Sequence, residues 1–157
     1  MKIYFLRHGV AVEAEDWKGN DYDRPLTGDG RDRMAGEAKA IRKLDLKLDA
    51  ILTSPLVRAK QTAEIVAREL KMPFKEDERL GGDFDVSGLE AILQGCADLK
   101  SLMLVGHEPS MSATVGRLIG VARMDLKKGG LACVELPDAA TMTGELISLI
   151  PPKVLLL

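Results

Sequence analysis

Apolar residues fall along this chain in two rhythms. Short unbroken runs at Ile3 to Leu6, Asp49-Ala50-Ile51-Leu52-Thr53 and Leu102 to Val105 are bounded by polar or glycine-containing segments. Runs of that length and composition predict strands buried on both faces. Between them, apolar positions recur at helical spacing. Met34, Ala38, Ile41 and Leu44 form one stripe, in a helix from about Asp29 to Leu44. Ala59, Ala63, Val66 and Leu70 form a second, in a helix that Pro73 stops. Thr27 reads as the N-cap of the first helix, with Gly28 and Gly30 loosening its entry; Ser54 reads as the N-cap of the second, with Pro55 at its first position. A third helix is expected from Ser87 to about Ala97. A fourth, opened by Pro109, runs to about Ile119, with Gly120 as its stop. Phe74 to Leu80 predicts a short or irregular strand before Gly81-Gly82. Leu131 to Leu136 and Gly144 to Ile150, with Pro137-Asp138 near their junction, predict an antiparallel pair at one side of the sheet. Strands alternating with helices make this an α/β protein. No repeat, low-complexity tract or linker divides it, so residues 1–157 read as one domain. The apolar tail from Pro151 to Leu157 is expected either to dock along the sheet or to meet a partner.

Composition narrows the class. An apolar content of 46% over 157 residues supports a core covered on both faces. Basic and acidic residues nearly balance, 22 against 24, which gives no footprint for nucleic acid or an anionic membrane. Aromatics are few, three Phe, two Tyr and one Trp, so base-stacking platforms are not expected. Cys96 and Cys133 lie far apart and outside any CxxC pattern, and read as core thiols of a reducing compartment. The chain enters a strand at once, without a signal peptide, and no apolar run is long enough to span a bilayer. A cytoplasmic location is expected.

The candidate chemistry sits where strands end. The first strand stops in Arg7-His8-Gly9: a cation, an ionisable nucleophile, and a residue that lets backbone approach a ligand closely. The only other histidine, His107, follows the strand ending in Val105-Gly106. Ligands of open α/β sheets bind outside the carboxyl ends of strands, so both histidines fall where a site is expected. Arg58 lies in the first turn of the second helix, a mildly unfavourable place for a cation, which makes sense if it faces a phosphate. The long polar connection from Val10 to Thr27 reads either as a lid over the site or as a solvated loop. Its acidic residues show no metal-ligand rhythm.

Four ordered blocks together carry a resemblance. Arg7-His8-Gly9 after an amino-terminal strand, Pro25-Leu26-Thr27 with Gly30, Ser54-Pro55-Leu56-Val57-Arg58-Ala59-Lys60-Gln61-Thr62-Ala63, and Gly106-His107 resemble the histidine phosphatase superfamily. Within it the chain is most similar to short phosphohistidine phosphatases of the SixA type. The resemblance implies a three-layer α/β/α sandwich with a mixed, mostly parallel sheet. It implies His8 as the nucleophile that takes the phosphoryl group, and Arg7, Arg58 and His107 as its catalytic partners. Arg7, Gly9, Arg58 and His107 are the expected substrate-binding residues, with no metal and no cofactor. Guanidinium forks suit phosphate oxygens and stay charged, and phosphoryl transfer needs mainly alignment and charge neutralisation.

One departure bears on substrate. Phosphoglycerate mutase-like members carry a glutamate general acid after the second helix, where this chain has Leu80-Gly81-Gly82. Glu108 is the remaining general-acid candidate, against the plainer reading that it stabilises the start of a helix. A site without an acid suits phosphohistidine, whose imidazole departs as a neutral ring, whereas an alkoxide needs protonation. The implied partner is a phosphorylated protein, a phosphotransfer domain among the candidates. A phosphorylated small molecule, with Glu108 as acid, is the alternative, and a phosphate-binding module without turnover the non-enzymatic one. No nucleic acid and no membrane are expected.

Overall fold

A computed structural model describes all residues from 1 to 157. Its centre is a six-stranded sheet built from β1 (Lys2–Arg7), β2 (Ala50–Thr53), β3 (Lys75–Glu76), β4 (Ser101–Gly106), β5 (Leu131–Asp138) and β6 (Thr143–Ile150). The spatial order is β3-β2-β4-β1-β5-β6. The first four are mutually parallel; β5 runs antiparallel to β1, and β6 antiparallel to β5 at the sheet edge. Five helices complete the chain: α1 (Gly28–Lys43), α2 (Val57–Leu70), α3 (Val86–Gln94), α4 (Ser110–Ile119) and the short α5 (Pro152–Leu155).

Alternation along the strands divides the core in two. Ile3 and Phe5 of β1, Leu102 and Leu104 of β4, and Ala132, Val134 and Leu136 of β5 pack with α3 and α4 residues on one face. Tyr4 and Leu6, Met103 and Val105, and Leu131 and Cys133 pack with α1 and α2 on the other. This double burial is why the central strands read as unbroken apolar runs. The result is the three-layer α/β/α sandwich with a mixed, mostly parallel sheet.

Several elements differ in detail from the sequence reading. Ser54 is not the cap of α2. The helix starts at Val57 after Leu56, because the Ser54 amide extends the sheet to the Val105 carbonyl (2.9 Å) and its hydroxyl faces Leu56 and His107. Pro109 precedes α4 and does not open it. The stretch from Phe74 to Leu80 pairs with β2 through Lys75 and Glu76 alone and then makes a single 3-10 turn. Cys133 is buried, while Cys96 is only partly so; both thiols are free. The tail docks on the helical layer: α5 lies against α1, with Leu156 over Gly36 and Leu155 in the core.

Candidate active site

Strand register assembles the site from residues distant in sequence. Arg7 pairs with Gly106 at the carboxyl ends of β1 and β4, and the His8 amide donates to the Gly106 carbonyl at 3.0 Å. His8 and His107 are thus adjacent, their ring centroids 5.3 Å apart. Thr53 pairs with Val105, so Ser54 arrives beside His107 from the other side of β4. Arg58, in the first turn of α2, completes the cluster. His8, Arg58 and His107 are 6%, 7% and 5% exposed, deep enough for their electrostatics to escape most solvent screening.

Each side chain is held by groups that leave one edge free. The His8 Nδ1 lies 2.7 Å from the Gly9 carbonyl, an acceptor, so Nδ1 carries the proton and the Nε2 lone pair is free. Arg7 donates to the Leu126 carbonyl at 3.0 Å, and the Gly129 amide bonds the carbonyls of Arg7 and His8, strapping the strand end. Gly129 has φ +79, a left-handed turn that lets the strap close against Glu37. Arg58 donates to the Asp21 carbonyl (2.9 Å) and pairs with its carboxylate (3.2 Å). The remaining Nε groups of Arg7 and Arg58, and Nδ1 of His107, are buried with no protein partner. Buried polar atoms without partners are rare, and here two guanidiniums and an imidazole supply them at one strand end.

Burial dominates the titration of both histidines. It pushes His8 down to about 3, against the Gly9 hydrogen bond that favours the proton, with His107, Arg58 and Arg7 adding to the downward shift. His107 falls to about 4, again chiefly by burial, then by Arg58. Both rings are therefore neutral at pH 7. Burial also lowers Arg7 and Arg58 from their ordinary range.

The structure gives Gly9 and Glu108 specific partners. Gly9 was expected to bring free backbone to a ligand, but its amide donates to Thr62 Oγ1 (3.0 Å) and its carbonyl accepts from His8. Its backbone orients the His8 ring. Glu108 follows His107 but turns into α4, where its carboxylate accepts from the Ser112 amide at 2.9 Å and from the Ser112 hydroxyl. That is the helix-start role. The loop from Val10 to Thr27 is ordered by an Ala11–Leu26 bridge and two 3-10 turns, and brings Asp21 onto Arg58. Ser54, Thr62 and Asp21 are the site residues that sequence reasoning missed. Ser54 and Thr62 lie inside the block around Arg58, while nothing marked Asp21 among its acidic neighbours. A cavity of about 380 Å³, between Ile51, Phe74, Cys96 and Leu99, sits at the opposite end of the strands.

A family model for the histidine phosphatase superfamily (branch 1) matches residues 3–85. The chain belongs to this superfamily. It is a phosphatase of that group and is close to SixA. An uncharacterised protein of Picosynechococcus sp. is 36% identical over 166 residues, covering 99% of each chain. Phosphohistidine phosphatase SixA of Escherichia coli is 29% identical over 123 residues, covering 75% of this chain and 74% of its own. The structure of the protein histidine phosphatase SixA complexed with tungstate superposes with a TM-score of 0.87, at 26% identity, over 98% of both chains. No helix is long and apolar enough to cross a membrane, and no group of three or more His, Cys, Asp or Glu side chains is placed to hold a metal ion.

Proposed function

We propose that the chain hydrolyses phosphohistidine on a protein partner in the cytoplasm, through a covalent phosphohistidine on His8 and without a metal. The observation that carries this reading is the convergence of a neutral, oriented imidazole with the unpartnered Nε groups of two buried arginines. The His8 Nε2 lone pair attacks phosphorus as the bond to the leaving nitrogen breaks and its electron pair departs with that nitrogen. Arg7 and Arg58 neutralise charge on the equatorial oxygens, and His107 donates from Nδ1. Water then attacks the phosphoryl group on His8 and releases inorganic phosphate, restoring the lone pair.

The leaving group follows from what the site offers. Glu108 spends its carboxylate on Ser112, and Asp21 is held below the usual carboxylate range, first by its hydrogen bond from Arg24. Neither is poised to deliver a proton. An imidazole that already carries its proton departs neutral, whereas an alkoxide would build charge with nothing to quench it. The likeness to SixA, which was captured with a tetrahedral oxyanion, supports the same substrate class.

The test compares a phosphohistidine-bearing protein with phosphoserine protein and sugar phosphates, with and without chelator. Turnover should favour phosphohistidine and be indifferent to chelator. Rapid quench should trap acid-labile, base-stable phosphate that disappears in His8→Ala. Preference for sugar phosphates would give first place to a small-molecule phosphomonoesterase.

A further inference from the structure

We propose that Ser54 fixes the proton on the His107 ring, holding the Nδ1–H tautomer so that His107 meets the phosphoryl group as a donor. Ser54 is thus a positioning residue, and the purpose it serves rests on the function proposed above. Its side chain is fully buried at the end of β2 and has two partners. The Leu56 amide donates to Oγ at 3.2 Å, and His107 Nε2 lies 2.7 Å from Oγ. A hydroxyl has one proton and two lone pairs. Leu56 takes one lone pair, and His107 Nε2 is the acceptor within reach of the proton. Nε2 therefore accepts, and a neutral ring must carry its hydrogen on Nδ1.

The reverse assignment fails twice. If Nε2–H donated to Ser54, the hydroxyl proton of a fully buried residue would have no acceptor. The His107 Nδ1, buried and without a protein partner, would then present a lone pair to an anion. Neutrality makes the choice matter, because an imidazolium donates from both nitrogens, and burial holds His107 neutral. The two histidines thus share one tautomer and use it oppositely. His8 spends Nδ1–H on Gly9 and offers a lone pair, while His107 spends its lone pair on Ser54 and offers Nδ1–H.

Long-range ¹⁵N–¹H correlation of the imidazole rings at neutral pH, without substrate, tests this directly. The chain has only two histidines, and His8→Ala identifies the His107 pattern by removing the other. Wild type should show His107 protonated on Nδ1 and bare on Nε2. Ser54→Ala should shift the ring toward Nε2–H and lower kcat by about 10- to 100-fold, the usual scale for losing a group that orients a functional imidazole. Ser54→Thr, which keeps the hydroxyl, should restore both. An Nε2–H ring in wild type overturns the proposal, as does a tautomer unchanged in Ser54→Ala. If Ser54→Ala does not fold, the wild-type spectrum alone decides. No substrate is present, so failure of the phosphohistidine reading registers in the activity panel and leaves this result distinct.

Discussion

At the scale of single residues, Arg58 and Glu108 make opposite predictions. Arg58 is nearly buried, keeps an unpartnered Nε, and owes its fixed position to Asp21. Arg58→Ala should lower turnover by about two or more orders of magnitude, the usual loss when a transition-state charge contact goes. A direct assay on phosphohistidine protein checks it, and near-normal activity would remove Arg58 from the phosphate clamp. Glu108 holds the start of α4 through Ser112. Glu108→Gln should cost about 0.5–1 kcal/mol of stability, as lost cap and dipole contacts do. It should leave a steep dependence of rate on leaving-group basicity untouched across a series of aryl and alkyl phosphates. An acid role would instead show as a shallow wild-type slope and a loss of about 10²–10⁴-fold on alkyl esters in the variant.

At the scale of elements, the junction of the long loop with α1 explains a pattern that sequence could only match. Thr27 caps α1 by accepting from the Gly30 amide at 2.9 Å, as its position predicted. Gly30 itself is there for space: a Cβ would run into the Val10 carbonyl, which also accepts from the Thr27 amide at 3.0 Å. Gly30→Ala should therefore destabilise by about 1–3 kcal/mol, the range for forced overpacking, although alanine favours helix. Denaturant unfolding measures this, and a neutral or stabilising result would contradict the packing. Ser54 shows the limit of element-scale reading. Serine before proline is a good helix start in isolation, but the sheet takes its amide and a histidine 53 residues away takes its hydroxyl.

At the scale of the whole molecule, buried titratable groups set opposing pH dependences. His8 and His107 fall from 6.5 to about 3 and about 4 on folding, so the unfolded chain binds more protons as pH drops below 6.5. Stability present above 6.5 is lost as pH falls toward those values. Glu37 works the other way. Burial between α1 and the Gly129 strap raises it from 4.5 to about 7, against the pull of Arg33, so stability present below 4.5 is lost as pH rises through 7. Glu37→Gln should raise the Tm relative to wild type at pH 8, and that gain should vanish at pH 4. Thermal unfolding across this range is the check, and equal Tm values at pH 8 would mean that Glu37 carries no such penalty.

Local pattern alone determined the two-sided core, the order of strands and helices, the antiparallel edge pair and both histidines at strand ends. Each depends on burial periodicity or on residue type at a chain position, which a single sequence displays. The ordered blocks also sufficed to place the chain in its superfamily. Tertiary structure decided the rest, because hydrogen-bond partners remote in sequence have no local signature. Parallel register brought Ser54 to His107; the packing of α2 against α1, β2 and β4 turned Thr62 toward Gly9; and the ordered loop laid Asp21 on Arg58. Glu108 adjoins His107 in sequence, but the path of α4 carries its carboxylate to Ser112. The chemistry of the site was written in residue types, while the protonation and orientation of those residues depend on which neighbours the fold supplies.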